Sequence, residues 1–237
     1  MCKIIIMNSK GGCGKSTIAT NLASSYTARG FRTALFDHDP QGSSMTWLRL
    51  RGTDRDIHGV AAHKATDLNV TRAWQLRVPP DIQRVVIDTP AGLSEQSLIR
   101  HVQGVDVILI PVLPSPIDIH ATADFIRDLL LIGRTRSQNI RIGIIANRVR
   151  ANTRAYQKLK RFLDQLDIPF VARLRDTQYY LHAVEKGCGI DEIREPGTRV
   201  DRDAWQGILD WVEHGAGEAT TTASGGATLA GVAAPVW

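Results

Sequence analysis

The chain has 237 residues, of which 43% are hydrophobic, so it is long and apolar enough to bury one sizeable core. Its formal net charge is +5, a modest basic excess that serves solubility as readily as binding to nucleic acid. No apolar run approaches the roughly 20 residues that cross a bilayer, and three cysteines give no pairing pattern, which excludes a membrane-spanning or disulfide-stapled class. We expect free thiols in a reducing cytosol at Cys2, Cys13 and Cys188 and, since a strand starts near Lys3, no signal peptide.

The order of apolar runs and amphipathic stretches predicts the fold class. Strands are predicted at residues 3–7, 32–36, 84–87, 105–110 and 140–145, with a shorter one near Val60. Helices are predicted at residues 15–29, 94–102, 119–133, 152–166, 177–186 and 201–213, with a weaker one at 68–76. Continuous Ile/Val/Leu strands separated by helices indicate a single α/β domain over residues 1–214, with a doubly wound, mostly parallel sheet. Residues 215–237 are rich in Ala, Gly and Thr and nearly uncharged, which predicts a disordered tail.

A glycine-rich loop joins the first predicted strand to the first predicted helix. Glycines let backbone N–H groups approach phosphate oxygens, and the start of a helix adds partial positive charge. We interpret the segment as a phosphate loop rather than a glycine-rich turn, because so many fixed positions rarely coincide by chance. Lys15 is expected to reach the β- and γ-phosphates of ATP, Ser16 to bind Mg²⁺ and Thr17 to contact the α-phosphate. The remaining predicted nucleotide contacts are Gly11, Gly12, Cys13 and Gly14.

The loop departs from the strict GxxxxGK[ST] pattern, because Ser9 stands where that pattern has glycine and Lys10 precedes the glycine pair. In this form, KGGCGKST, it resembles the loop of the ParA/MinD family of deviant Walker ATPases, and the resemblance extends over about residues 3–213. The resemblance implies a catalytic role for Lys10, which would cross a dimer interface to the ATP phosphates of the partner, as an arginine finger does. The small ParA-type partition and carboxysome-positioning ATPases of that family are the most similar.

Carboxylates follow two of the predicted strands. A carboxylate at the carboxyl end of a strand lies on the ligand side of an open α/β sheet. The resemblance implies that Asp39 positions the attacking water, that Asp37 lies toward Mg²⁺, and that Asp88 holds Mg²⁺ through water. Residues 89–92 are interpreted as a loop that senses the γ-phosphate. An Asp-Pro turn at Asp39 and a plain strand-ending aspartate at Asp88 are the structural alternatives.

The resemblance also suggests contacts beyond the phosphates. Asn147 ends the strand predicted at 140–145, where the family often reads adenine with an asparagine, and Arg148 would flank the base. The segment 174–176 lies where the family's chain passes the adenine. The proline-rich segment 111–118 is similar to one that small plasmid-partition ATPases carry at the dimer interface, although it also suits an ordinary strand-to-helix loop.

Basic residues are concentrated between residues 141 and 175. This segment contains nine Lys and Arg residues and only two Asp residues, which gives it a local charge of +7. Arg154, Lys158 and Arg161 are spaced to lie on one face of a helix, and Arg150 precedes them. Such a stripe suits DNA phosphates without reading bases, and the alternative is a solvated helix face.

Together these patterns predict a cytoplasmic, nucleoid-associated ATPase with ATP and Mg²⁺ as cofactors. It would dimerise on ATP, bind DNA non-specifically and position a plasmid, a chromosome region or a carboxysome, with a ParB-like or cargo-adaptor protein stimulating hydrolysis. A MinD-like membrane regulator needs a basic C-terminal helix, but residues 215–237 contain no Lys or Arg. An iron–sulfur reductase needs mid-chain cysteines, and none lies between Cys13 and Cys188. A metabolic ligase or kinase on the same fold remains open.

Overall fold

In the described part of the chain, seven parallel strands form one sheet that organises the domain, in the order β3-β2-β4-β1-β5-β6-β7. The computed structural model describes residues 1–52, 57–64, 78–131 and 139–215. The strands are β1 Cys2–Ile6, β2 Thr33–Asp37, β3 Ile57–Val60, β4 Arg84–Asp88, β5 Val107–Val112, β6 Arg141–Val149 and β7 Phe170–Arg175. β1 and β5 each have a neighbouring strand on both sides, and residues 4–6 of β1 and all of β5 are buried, which agrees with their apolar sequences.

Helices cover both faces of the sheet, as in a doubly wound fold. They are α1 Lys15–Ala28, α2 Ser43–Arg51, α3 Glu95–Val102, α4 Pro116–Leu131, α5 Arg154–Leu163, α6 Tyr179–Glu185 and α7 Arg199–His214. The core on one face contains Leu22 of α1 and Trp205 of α7, and the core on the other contains Phe125 of α4 and Leu159 of α5. The predicted fold class is therefore confirmed.

Most predicted elements are present with shifted ends, but two were missed. The strand β7 lies at the edge of the sheet, where exposed and buried residues alternate. Its sequence therefore includes Arg173 and Arg175 and lacks the continuous apolar run by which the other strands were predicted. The helix α2 has a polar sequence in which Ser44, Trp47 and Arg51 are the buried residues. The weak helix at 68–76 and the tail from residue 216 fall outside the described residues, as do the last two residues of the helix predicted at 119–133.

Within the described ranges, each helix is too short or too polar to span a bilayer.

The strand order brings the predicted site residues to one edge of the sheet. The chain leaves β1, crosses to β2 and β3, returns to β4 and then continues on the opposite side of β1 through β5, β6 and β7. The order therefore reverses at β1, and ligands of open α/β sheets bind at such a switch point, beyond the carboxyl ends of the strands. The loop from residue 7 to residue 14 begins at that point.

Candidate nucleotide site

The loop between β1 and α1 has the geometry that phosphate binding requires. Gly12 and Gly14 adopt positive φ angles of 74° and 96°, which side chains rarely tolerate. A Cβ at Gly14 would also lie 2.1 Å from Asn147 Nδ2. The first turn of α1 has no side-chain cap and no acidic residue, and the first helical bond there runs from Ile18 N to Gly14 O. The backbone N–H groups at the start of α1 are thus left for an anion.

The ammonium group of Lys15 lies over this loop and is almost completely buried, with 6% of the residue exposed. Its Nζ donates to Lys10 O at 2.8 Å and to Asn8 O at 3.4 Å. Cys13 Sγ lies 4.0 Å from this Nζ and donates to Lys10 O. The carbonyl oxygens of the loop therefore occupy the positions that phosphate oxygens would take around a lysine of this kind.

Two interactions that the sequence did not predict hold the loop in place. The buried side chain of Asn8 donates to Pro111 O at 2.7 Å and to Thr122 Oγ1 at 3.0 Å, and its Oδ1 accepts from Lys10 N. Ser9 O accepts from Gly92 N at 3.0 Å, so the loop after β4 contacts the phosphate loop directly. A polar residue directly after a buried strand was the one signal for Asn8.

Two fully buried carboxylates lie side by side where β2 and β4 end. Asp37 and Asp88 are register partners in this parallel pair. Burial raises the pKa of Asp88 to about 6, because the charged form loses its hydration, while the hydrogen bond from Ser44 and the nearby Ser16 hydroxyl oppose the rise. Burial also raises the pKa of Asp37. A nearby cation would favour the charged forms of both groups.

The two oxygens of Asp88 are in different situations. Oδ2 accepts from Ser44 Oγ at 2.7 Å, whereas Oδ1 is buried and has no hydrogen-bond partner among the described residues. A buried carboxylate oxygen without a partner is costly, and water coordinated to Mg²⁺ would satisfy it. Mg²⁺ keeps several waters and takes few protein ligands in nucleotide sites. Asp88 and Ser16 therefore fit this ion.

Asp37 and Asp39 organise the turn that precedes α2. Asp37 Oδ1 accepts from Asp39 N and Asp37 Oδ2 accepts from Met45 N, both at 3.0 Å. The carboxylate of Asp37 therefore caps α2, and its role toward a bound ion would be indirect. Asp39 is half-buried, and its Oδ1 accepts from Gln41 N at 3.0 Å, so an Asx turn orients this carboxylate.

A cavity of about 500 Å³ adjoins the phosphate loop on the β6 and β7 side. Asn147 lies at its inner end, 6% exposed, and its Nδ2 donates to Cys13 O at 2.8 Å. Arg148 has a positive φ of 51°, an unusual conformation for a non-glycine residue, and its Nε is 3.9 Å from Asp176 Oδ1. Asn147, Arg148 and Asp176 all line this cavity, whose walls also include Thr17, Tyr180 and Leu181. The volume suits a nucleoside attached to the phosphates.

The predicted basic stripe lies on an exposed helix face. Arg154, Lys158 and Arg161 project from α5, whose other face buries Leu159 and Leu163. None of the three forms an ion pair with a carboxylate in the described part of the chain. Arg150 differs, because its Nη2 pairs with Asp176 Oδ2 at 2.8 Å beside the cavity.

Two of the nine basic residues counted in this part of the sequence have structural roles. Arg175 pairs with the buried Asp201, and Arg141 donates to the carbonyl oxygens of Trp211 and Val212. Both therefore attach α7 to the sheet, and the charge available on the surface is smaller than the sequence count.

Lys10 lies at the mouth of the phosphate loop, half-buried, and no hydrogen bond or ion pair of its Nζ is found within the described ranges. The neighbouring segment 111–118 is not a loop throughout. Its first two residues finish β5, and α4 begins at Pro116, where Ser115 Oγ bonds to the Asp118 carboxylate. Ile117, in the first turn of α4, is 72% exposed.

Comparison with protein families agrees with this geometry. The family model of the CobQ/CobB/MinD/ParA nucleotide binding domain matches residues 4–188. The match covers the phosphate loop, both buried carboxylates and the lining of the cavity.

Individual relatives point in the same direction. Maintenance of carboxysome distribution protein A of Halothiobacillus neapolitanus is 28% identical over 195 residues, which cover 82% of this chain and 88% of that protein. The protein of the same name from Gloeobacter kilaueensis is 34% identical over 116 residues, 49% of this chain and 51% of its own length. Among solved structures, the ATP complex of a McdA variant from Cyanothece has a TM-score of 0.64 at 16% identity, covering 88% of this chain and 96% of that chain. This last likeness concerns the fold.

Proposed function

Because the chain belongs to the CobQ/CobB/MinD/ParA family of nucleotide-binding domains, as its resemblance to ParA and MinD indicated, we propose that it is a Mg²⁺-dependent ATPase that positions or segregates a cargo. In this proposal ATP closes a homodimer, the dimer binds nucleoid DNA without sequence preference, and a partner protein stimulates hydrolysis and release. The observation that carries the ATPase proposal is the arrangement at the end of β1. There the uncapped start of α1 and the buried ammonium of Lys15 lie beside Asp88, whose Oδ1 lacks a partner.

Each residue of this arrangement has a definite task in hydrolysis. Backbone N–H groups of residues 11–17 would bind the phosphates, and Lys15 would exchange its carbonyl partners for the β- and γ-phosphate oxygens. Ser16 and, through water, Asp88 would hold Mg²⁺, which would neutralise charge on the phosphates. Asp39 would orient the attacking water from its turn after β2.

The second cation of the reaction would come from another copy of the chain. Lys10 lies at the mouth of the loop without a described partner for its ammonium, so it is available to reach across a dimer interface. A positive charge placed where the transition state gains negative charge accelerates phosphoryl transfer. The exposed Ile117 belongs to the segment 111–118, whose Pro111 O accepts from Asn8 of the phosphate loop, and it would be buried if this face associates.

The cargo proposal rests on similarity. The Halothiobacillus relative, which matches over most of both chains, is named for carboxysome distribution. We infer a related role in positioning a carboxysome, with a plasmid or chromosome region as the other cargo. The stimulating partner would then be a cargo adaptor or a ParB-like protein, and the site of action the nucleoid in the cytoplasm.

The DNA-binding face of the proposal is α5. Arg154, Lys158 and Arg161 leave three guanidinium or ammonium groups in solvent without described counter-charges, as phosphate contacts require. Dimerisation would double the number of such contacts. If each subunit neutralises about three phosphates, log Kobs should fall against log salt with a slope of about −5.

Fluorescence anisotropy of a labelled duplex tests this proposal. We expect binding with ATP but not with ADP, similar affinity for unrelated sequences, and a flatter salt slope for the Arg154→Glu/Lys158→Glu double variant. Arg199→Glu, at an exposed position on α7, is the control for a general charge effect. Binding that ignores ATP, or that strongly prefers one sequence, would contradict the proposal. Dimerisation on ATP without DNA binding at low salt would leave the α5 stripe as a solvated face.

A metabolic ligase or kinase is the second candidate, and one feature favours it. A hollow of about 500 Å³ lies beside the Asp39 turn, lined by α2 and β3 residues that include Met45, Leu48 and Gly59. A small phosphoryl acceptor could enter there. Release of free phosphate from ATP in buffer without any added acceptor separates the ATPase from such an enzyme.

A further inference from the structure

The helix α2 begins with two adjacent serines in opposite environments. Ser43 is exposed, whereas Ser44 is fully buried. Ser44 Oγ donates to Asp88 Oδ2 at 2.7 Å, and Asp88 is itself fully buried. The two residues are 44 positions apart in the chain, so the contact depends on β2 and β4 being neighbours in the sheet.

The same end of α2 is also attached to the neighbouring carboxylate. Asp37 Oδ2 accepts from Met45 N, the residue directly after Ser44, and Asp37 Oδ1 accepts from Asp39 N. Asp37 and Asp88 are register partners, so two adjacent strand ends together hold the first turn of α2. We call residues 39–42 the Asp39 turn. It lies between Asp37 at the end of β2 and the first turn of α2, which the buried carboxylates of Asp37 and Asp88 hold.

The rest of α2 is anchored independently of Ser44. Trp47 is buried and its Nε1 donates to Cys188 O at 3.2 Å. At the last position of the helix, the buried Arg51 pairs with Glu192 through both terminal nitrogens, at 2.8 Å and 3.0 Å. Removing one hydroxyl at the other end should therefore leave the helix in place, and its effect should fall on the Asp88 carboxylate and the Asp39 turn.

We propose that Ser44 is a positioning residue, which orients the Asp88 carboxylate for Mg²⁺ and ties it to the Asp39 turn. With Oδ2 fixed by Ser44, the carboxylate cannot rotate, and Oδ1 is the oxygen left for water coordinated to the ion. Hydrogen bonds behind a metal ligand set its direction, and their loss typically lowers metal affinity or activity about tenfold to a hundredfold. This inference deepens the proposed ATPase function and rests on it for the role of Asp39.

The test compares Ser44→Ala with Ser43→Ala, the same substitution one residue away on the same helix turn. The first measurement is binding of a fluorescent ATP analogue across a Mg²⁺ titration, which needs no hydrolysis. For Ser44→Ala we expect the Mg²⁺ concentration at half-maximal effect to rise about tenfold or more, with unchanged affinity in EDTA. For Ser43→Ala we expect the wild-type titration.

The second measurement is turnover at saturating ATP and Mg²⁺. Ser44→Ala should raise KM for the Mg²⁺–ATP complex by about the same factor as the shift in the Mg²⁺ titration, and it should also lower kcat. Ser44→Thr, which restores a hydroxyl, should recover part of both losses. In an Asp39→Ala background, Ser44→Ala should still shift the Mg²⁺ titration but lower kcat little further, because the turn that Ser44 ties to Asp88 no longer carries the Asp39 carboxylate.

Three results would overturn the inference. Ser44→Ala and Ser43→Ala could behave alike in both measurements. Ser44→Ala could lose nucleotide affinity equally in EDTA, or unfold at a much lower temperature, and either outcome would make Ser44 a structural residue only. If the wild-type protein proves not to hydrolyse ATP, the proposed function fails, whereas the Mg²⁺ titration still decides whether Ser44 orients Asp88.

Discussion

Replacing Asp88 by asparagine should stabilise the protein when nucleotide and Mg²⁺ are absent, although Asp88 is a predicted site residue. Burial raises the pKa of this carboxyl from 3.8 to about 6, so near neutral pH the folded protein keeps a charge that its surroundings disfavour. That difference corresponds to at most about 3 kcal/mol at 1.36 kcal/mol per pKa unit, an upper bound because surrounding groups relax. An asparagine of the same shape carries no charge and can still accept from Ser44 Oγ.

The sign of the pH dependence follows from proton binding. Between pH 3.8 and about 6 the folded protein holds a proton on Asp88 that the unfolded chain has released, so this group's contribution to stability is present at low pH and falls as pH rises. The stability gain of Asp88→Asn should therefore be near zero at pH 4, grow through pH 6 and level off above it. With Mg²⁺ and ATP present, the wild type should instead be the more stable of the two proteins, because its folded state binds them more tightly than that of Asp88→Asn.

Urea unfolding of both proteins in EDTA, at several pH values from 4 to 8, measures this difference directly. Asp81→Asn is the matched control, because Asp81 pairs with Arg32 in an exposed position where a salt bridge contributes little. The reasoning is refuted if Asp88→Asn is less stable than wild type at pH 8 in EDTA. A gain that is constant from pH 4 to pH 8 would likewise show that charge burial is not its cause.

Three further predictions concern the residues around the phosphates. Lys15→Ala should reduce ATP affinity by about two orders of magnitude, because charge-assisted bonds to the phosphates are lost; near-normal binding of a fluorescent ATP analogue would refute the phosphate-loop assignment. Asp39→Ala should bind ATP but hydrolyse it slowly and accumulate as a dimer in light scattering, and a monomer with unimpaired turnover would mean that another residue orients the water. Lys10→Ala should keep the ATP affinity of the monomer but lose dimerisation and hydrolysis, whereas an equimolar mixture with Asp39→Ala should regain turnover, because a mixed dimer contains one site with both groups. No recovery in demonstrated heterodimers would show that Lys10 acts on its own nucleotide.

The sequence alone was sufficient for the features that neighbouring residues create. The phosphate loop is one contiguous segment, and its glycines, Lys15 and the helix start act within a few residues of each other. The strands β1, β4 and β5 were predictable because the residues that they bury between the two helical layers are mostly short runs of Ile, Val and Leu. Asp37 and Asp88 were found because each directly ends such a strand.

Tertiary structure decided which of these residues come into contact, because the order of the strands in the sheet cannot be predicted from any local sequence pattern. It placed Asp37 beside Asp88, brought Ser44 onto Asp88 and joined Asn8 to Thr122, contacts between residues 44 or more positions apart. It also divided the basic residues, since Arg141 and Arg175 hold α7 while Arg154 and Lys158 stay in solvent. Composition counts every arginine as one charge, but only the packing around it determines whether that charge is paired inside the fold or offered to a ligand.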